Sequence, residues 1–144
     1  PTLKQEVEIA LTTTSGINSK MDIVLNAKQI QEFQKLVPSV PVSQHVAEFA
    51  VRLAQSSRPN KNGTSLGFIN EWVDWGAGPR ASQYLLMGAK ARAIMENRVA
   101  ATIEDVKRVS RQVLEHRIIL NFKAEAESIT TNDIIEKLLN SIKP

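Results

Sequence analysis

Arg80 opens a predicted helix directly behind Gly76-Ala77-Gly78-Pro79. A cation in a first helical turn opposes the positive end of the helix macrodipole, at a cost of about 0.3–1 kcal/mol. The same sequence obeys that rule elsewhere, with Glu104 and Asp105 after Thr102 and Asp133 after Thr131. The segment behind Pro79 instead runs Arg80, Ala81, Ser82, Gln83 and offers no acid. Proline suits the first helical position, and Gly78 is an acceptable if weaker N-cap than serine. Free N–H groups at a helix start attract anions, and helical side chains lean back toward the N-terminus. Arg80 can therefore reach over its own helix start and fork two donors onto a pair of phosphate oxygens. Gly76 and Gly78 would let a ligand or a second domain approach the backbone closely. The plainer alternatives are an arginine paired with Asp74 or Glu71, or one that is only solvated.

No other residue set carries an enzyme's chemistry. The sequence has no phosphate-cradling glycine loop ending in Lys-Ser/Thr, and no apolar strand ending in paired acids for magnesium. His45 and His116 lack metal-ligand spacing, so no metal site is expected. No nucleophile–base pair can be argued, so no catalytic residue is expected within this chain. A second basic group, Lys107, Arg108, Arg111 and Arg117, raises the alternative of a helical nucleic-acid-binding module. A net charge of only +3 and an aromatic content of 5% rank that alternative lower and make nucleic acid an unexpected partner.

Helical elements must position these residues. Thr2 and Gln5 form a capping-box pattern ahead of Leu3, Val7, Ala10 and Leu11, and this helix should end before Ser15-Gly16. A second helix is expected after Asn26, with Ile30, Phe33, Leu36 and Val37 on one side, stopped by Pro38 and Pro41. Ser43 caps a third, with Val46, Phe49, Ala50 and Leu53 as its stripe. Residues 58–67 read as one long mobile loop, and Phe68 to Trp75 as an extended piece. The longest helix is predicted from Pro79 to about Asn97, with Tyr84, Leu85, Gly88, Ala89 and Arg92 along one face. Another follows Thr102, with Ile103, Val106, Val109 and Val113 on its apolar side. Phe122 to Ser128 reads as a turn, and Thr131-Asn132-Asp133 opens a last helix with Ile134, Ile135, Leu138 and Ile142. The expected fold is all-α: a compact bundle of about five to six helices over one domain, 1–144.

Composition fits a folded soluble domain, with hydrophobic residues at 42% and charged residues at 23%. The absence of cysteine excludes disulfides and thiolate metal sites. No apolar run is long enough to span a bilayer and no signal peptide is visible, so a cytoplasmic location is expected, with no membrane partner. The chain begins at Pro1 and enters a helix signal at once, as a segment of a longer protein would.

Gly76-Ala77-Gly78-Pro79-Arg80-Ala81-Ser82 resembles the sensor 2 segment of MoxR-type AAA+ ATPases, usually Gly-Ala-Ser-Pro-Arg-Ala. The similarity continues on both sides. Pro1, Glu6, Ile9 and Leu11 resemble the segment leaving the family's ATPase core. Val40-Pro41-Val42-Ser43, Leu53 and Ser57-Arg58 follow the pattern leading to a Thr-Arg pair. Asn97-Arg98, Thr102 with Glu104-Asp105-Val106, and Val113 to Ile118 then come in the expected order. Gly78 stands where the family has serine, and Ser57 where it has threonine.

The resemblance implies a C-terminal helical lid whose Arg80, on Gly76, Ala77, Gly78 and Pro79, contacts the phosphates of ATP or ADP held by the lid's own ATPase core. Phosphate loop, magnesium ligands and arginine finger would all lie in that core, ahead of Pro1. It also implies a homo-oligomeric ring, a hexamer, chaperone-like remodelling driven by hydrolysis, and a partner with a von Willebrand factor A domain.

Overall fold

A computed structural model describes residues 1–16, 22–60 and 66–143. Its elements are α1 (Leu3–Thr14), α2 (Ala27–Ser39), α3 (Gln44–Ser56), α4 (Gly67–Trp72), β1 (Val73–Trp75), α5 (Pro79–Met95), α6 (Ile103–Leu114), β2 (Ile119–Leu120), α7 (Phe122–Ala126) and α8 (Thr131–Ser141). Packing divides the chain into two units, residues 1–31 and 32–144.

In the first unit Thr2 and Gln5 form the expected capping box, and α1 ends at Thr14. None of the α1 residues is buried. The second unit holds the hydrophobic core. Phe49, Ala50 and Leu53 of α3, Leu85 of α5, Val106 and Leu114 of α6, and Ile134, Ile135 and Leu138 of α8 are all essentially sealed from solvent. Among the described residues the core is aliphatic apart from Phe49, as the scarcity of aromatics requires. Ser43 caps α3 by accepting from the Val46 N–H, and the predicted stripe Val46, Phe49, Ala50, Leu53 is the buried face.

The fold is all-α but for one small ribbon. The six helices expected from apolar periodicity are present, joined by the short α4 and α7. Three local expectations need correction. Residues 68–72 are helical rather than extended, and only Val73–Trp75 is a strand. Phe68 and Trp72 pair at i, i+4, ring centroids 6.5 Å apart, with Ile69 sealed in the core between them. That helical packing outweighs the preference of aromatic and β-branched residues for strands. The supposed turn after Phe122 contains α7, capped by Asn121, whose Oδ1 accepts from the Ala124 N–H at 3.0 Å. Pro38 lies in the last turn of α2 instead of beyond it, and its carbonyl accepts from Lys90 Nζ at 2.7 Å. The tip of the loop expected to be mobile, residues 61–65, lies outside the described residues.

The long helix α5 touches α6 closely. A Cβ on Gly88 would sit 3.1 Å from Val109 Cγ2, so glycine here permits the approach. The buried stripe of α5 is Ala81, Leu85, Ala89 and Ala93, a shallow face that draws α3 and α6 near. Tyr84, expected on that face, is exposed and carries the guanidinium of Arg117 at 5.1 Å from its ring centre. The α5–α6 turn is fixed by Asp105, which is buried, accepts from Arg98 Nη1 at 2.7 Å and from the Thr102 N–H at 2.8 Å, and also pairs with Arg98 Nη2. These bonds, Arg98 first, hold its carboxyl near 2, below the ordinary 3.8.

Candidate functional site

The turn before α5 is held from below by the end of α3. Ser57, fully buried, accepts from the Ala77 N–H at 2.9 Å and donates to the Ala54 carbonyl at 2.7 Å. Arg58 Nε donates to the Ala77 carbonyl at 2.7 Å. Both backbone groups of Ala77 are thus bonded to consecutive residues nineteen and twenty positions earlier in the chain. Gly76 is what lets the two segments meet. A Cβ there would lie 2.2 Å from the Ser57 carbonyl oxygen and 2.6 Å from Arg58 Cα. Gly78 has no such constraint, since its Cβ would meet nothing within 4 Å.

Gly78 is the N-cap of α5 and Pro79 occupies its first turn, as the sequence predicts. Gly78 has no side chain to cap the turn, and no acid stands in it. Arg80 is exposed and has neither hydrogen-bond nor ion-pair partner among the described residues. Glu71, one of the acids that could have claimed it, pairs with Lys123 Nζ. Asp74, the other, makes no ion pair among the described residues. The plain pairing alternative is therefore absent here. The five residues Gly76, Ala77, Gly78, Pro79 and Arg80 form one continuous turn and helix start. Sequence alone did not identify the clamp from Ser57 and Arg58, because nothing local marks two residues as bonded to a turn some twenty positions away.

Beside the turn lies a pocket of about 440 Å³, lined by Arg58, Pro59, Asp74, Trp75, Gly76, Gly78 and Pro79.

The second basic group is differently placed. Arg108 bonds Glu104 at 3.1 Å, Arg111 lies 3.6 Å from Glu115, and Lys107 Nζ sits 6.0 Å from the Phe49 ring centre. Arg117 is engaged by Tyr84, by the Val113 carbonyl and by the ring of His116. Each cation thus has a partner on its own chain, and the ring of His116 lies against Arg117. His45 is exposed in the first turn of α3.

Comparison with known proteins bears on what this turn belongs to. Residues 69–138 match the family model of the AAA lid domain. Over 120 residues, 83% of this chain and 31% of the relative, the chain is 27% identical to "Chaperone MoxR1" of Mycobacterium tuberculosis. The chain is an AAA lid domain of the MoxR type. A crystal structure from Cytophaga hutchinsonii, described as a "putative ATPase", superposes on this lid with a TM-score of 0.81 at 30% identity, covering 98% of the lid and 43% of that chain. The lid is also 22% identical, over 99% of its length and 42% of the relative, to "Uncharacterized protein YeaC" of Bacillus subtilis. It thus spans about a third to two fifths of the curated relatives it matches. The family match runs from Ile69 in α4 to Leu138 in α8, so it includes the clamped turn and Arg80. Among the described residues no helix is long and apolar enough to cross a membrane.

Proposed function

We propose that Arg80 is a sensor 2 arginine that reads the phosphates of ATP or ADP bound to an AAA+ ATPase core belonging to the same protein. One observation carries the reading: an exposed arginine without a partner among the described residues stands on an uncapped, acid-free helix start, behind an Ala77 bonded through both of its backbone groups. Guanidinium and helix start both favour an anion, and the fixed turn limits the entropy lost when one binds. A charge-assisted hydrogen bond of this kind contributes about 1.5–3 kcal/mol net.

In this reading residues 1–144 act as one lid. The core supplies the phosphate loop and the magnesium ligands, and the lid's own residues supply only Arg80 and its support. Subunits assemble as a homo-oligomeric ring, a hexamer, and nucleotide turnover shifts lid against core to drive chaperone-like remodelling in the cytoplasm. A protein with a von Willebrand factor A domain is the proposed partner. The reading of a nucleic-acid module has less support, because its four candidate cations are all engaged within the lid.

The test is Arg80→Ala in a protein that carries this lid behind its ATPase core. Arginines acting on transferring phosphates count for on the order of 10³–10⁵ in rate. Turnover should fall by at least tenfold while the circular dichroism of the lid is unchanged. Turnover near the starting value would end the sensor role.

A further inference from the structure

The long helix α5 is apolar on two faces. Helices α3, α6 and α8 gather their apolar residues on the side that the core covers. In α5 the buried ridge is Ala81, Leu85, Ala89 and Ala93, while Tyr84, Met87, Ala91 and Met95 make a second ridge at i, i+3, i+7 and i+11. Tyr84 is 52%, Met87 40% and Met95 83% exposed, with Ala91 half-buried between them. Apolar side chains exposed singly need no explanation, but these stand in a row on one helix face. A helix that is apolar all round is normally covered all round. The row runs about 16 Å along the axis, which is three turns of helix.

The border of the row is basic. Lys90, three residues on from Met87, donates to the Pro38 carbonyl at 2.7 Å. Arg117 lies 5.1 Å from the Tyr84 ring centre and donates to the Val113 carbonyl. Carbonyl and ring groups hold both cations in place, and neither pairs with a carboxylate among the described residues. Glu96, next to Met95, is claimed by Arg92 and Arg98. Fixed positive charge beside an apolar row disfavours a second copy of the same face, because an isologous contact brings like charges together. A nucleotide at the α5 start leaves the row uncovered too, since Met95 lies about 22 Å along the axis from Arg80. We propose that this face of α5 docks an acidic amphipathic helix of a partner protein. Apolar residues of that helix at i, i+4 and i+7 lie on Tyr84, Met87 and Met95, and its carboxylates meet Lys90 and Arg117. Methionine side chains adapt to apolar groups of varied shape, which suits such a surface. The proposal is independent of the sensor reading, and Arg80 takes no part in it.

The experiment is an NMR titration of the chain labelled with ¹³C at its methionine methyls. The sequence holds three methionines, and the third, Met21, is far from the row in sequence and serves as the reference. The probe is a synthetic helical peptide with leucines at i, i+4 and i+7 and glutamates between them; a second peptide keeps the leucines and carries lysines instead. The glutamate peptide, added to about 1 mM, should move the Met87 and Met95 methyls and leave that of Met21 in place. Lys90→Gln combined with Arg117→Gln should weaken it about tenfold, and so should salt raised to about 0.5 M. Met95→Asp, at a site with no core packing to lose, should weaken it at least as much with the circular dichroism unchanged. Methyls that stay in place with the glutamate peptide overturn the proposal, as do methyls that move equally with the lysine peptide. So does movement of Met87 and Met95 with chain concentration alone, which would make the row a contact between copies.

Discussion

Gly76→Ala should unfold the clamp beneath the sensor turn, and its cost can be worked from the distances. The added Cβ would lie 2.2 Å from the Ser57 carbonyl oxygen and 2.5 Å from its carbon, both backbone atoms that no side-chain rotation can clear. Ordinary van der Waals separation requires about 1 Å more. Opening the gap by that amount stretches the 2.9 Å bond from Ala77 N–H to Ser57 and the 2.7 Å bond from Arg58 to the Ala77 carbonyl beyond useful length. Losing one neutral bond and one to a charged group, with Ser57 and the Ala77 amide left buried, costs about 3–5 kcal/mol. Alanine gives back about 0.4–1 kcal/mol by restricting the unfolded chain. The net expectation is about 2–4 kcal/mol of destabilisation, or on the order of 10 °C in Tm for a domain of this size. Gly78→Ser is the internal control. Its φ of −75° is ordinary, its Cβ meets nothing, and a serine hydroxyl can cap α5, so stability should rise by about 0.5–1 kcal/mol. Urea denaturation followed by tryptophan fluorescence reads both, since Trp75 directly precedes the turn and Trp72 lies three residues before Trp75. Equal midpoints for Gly76→Ala and the unaltered chain would refute the steric account.

Three further outcomes are expected. Asp105 is held near 2 while its unfolded value is 3.8, so its contribution is complete above about pH 5 and disappears as pH falls through 3.8 toward 2. That shift corresponds to about 2 kcal/mol, of which about 1.5 should vanish between pH 5.5 and 2.5 and should be missing from the pH dependence of Asp105→Asn, measured by urea midpoints. Arg98→Ala leaves that buried carboxylate without its main partner and should cost about 3–5 kcal/mol by the same assay, far more than Arg108→Ala, whose pair with Glu104 is exposed. Ser57→Ala should lower the urea midpoint by about 1–3 kcal/mol and raise hydrogen exchange at the Ala77 amide, whereas retained protection of that amide would show that Ser57 does not hold the turn.

Legibility in the sequence followed the range over which each signal acts. Capping boxes act over three residues, and Thr2, Thr102 and Ser43 mark helix starts that the structure bears out, although the last helix is capped by Thr130, one residue before the predicted opening. Apolar periodicity acts over a helix, and among the described residues it found every long one. The misassigned stretch, 68–72, is a place where local preference and tertiary packing disagree, since Trp72 lies against Lys137 and bonds Glu127 far along the chain. The candidate site divides in the same way. Arg80 could be singled out because a helix start is a local object with a known electrostatic rule. Its support could not, because Ser57 and Arg58 look like an unremarkable helix end until the fold brings Gly76 against them. The asymmetry has a physical consequence. The residue that would face the ligand is exposed and stands on a turn in which Gly76 packs against buried Ser57, so a substitution at Ser57 should disable the site without itself reaching the ligand.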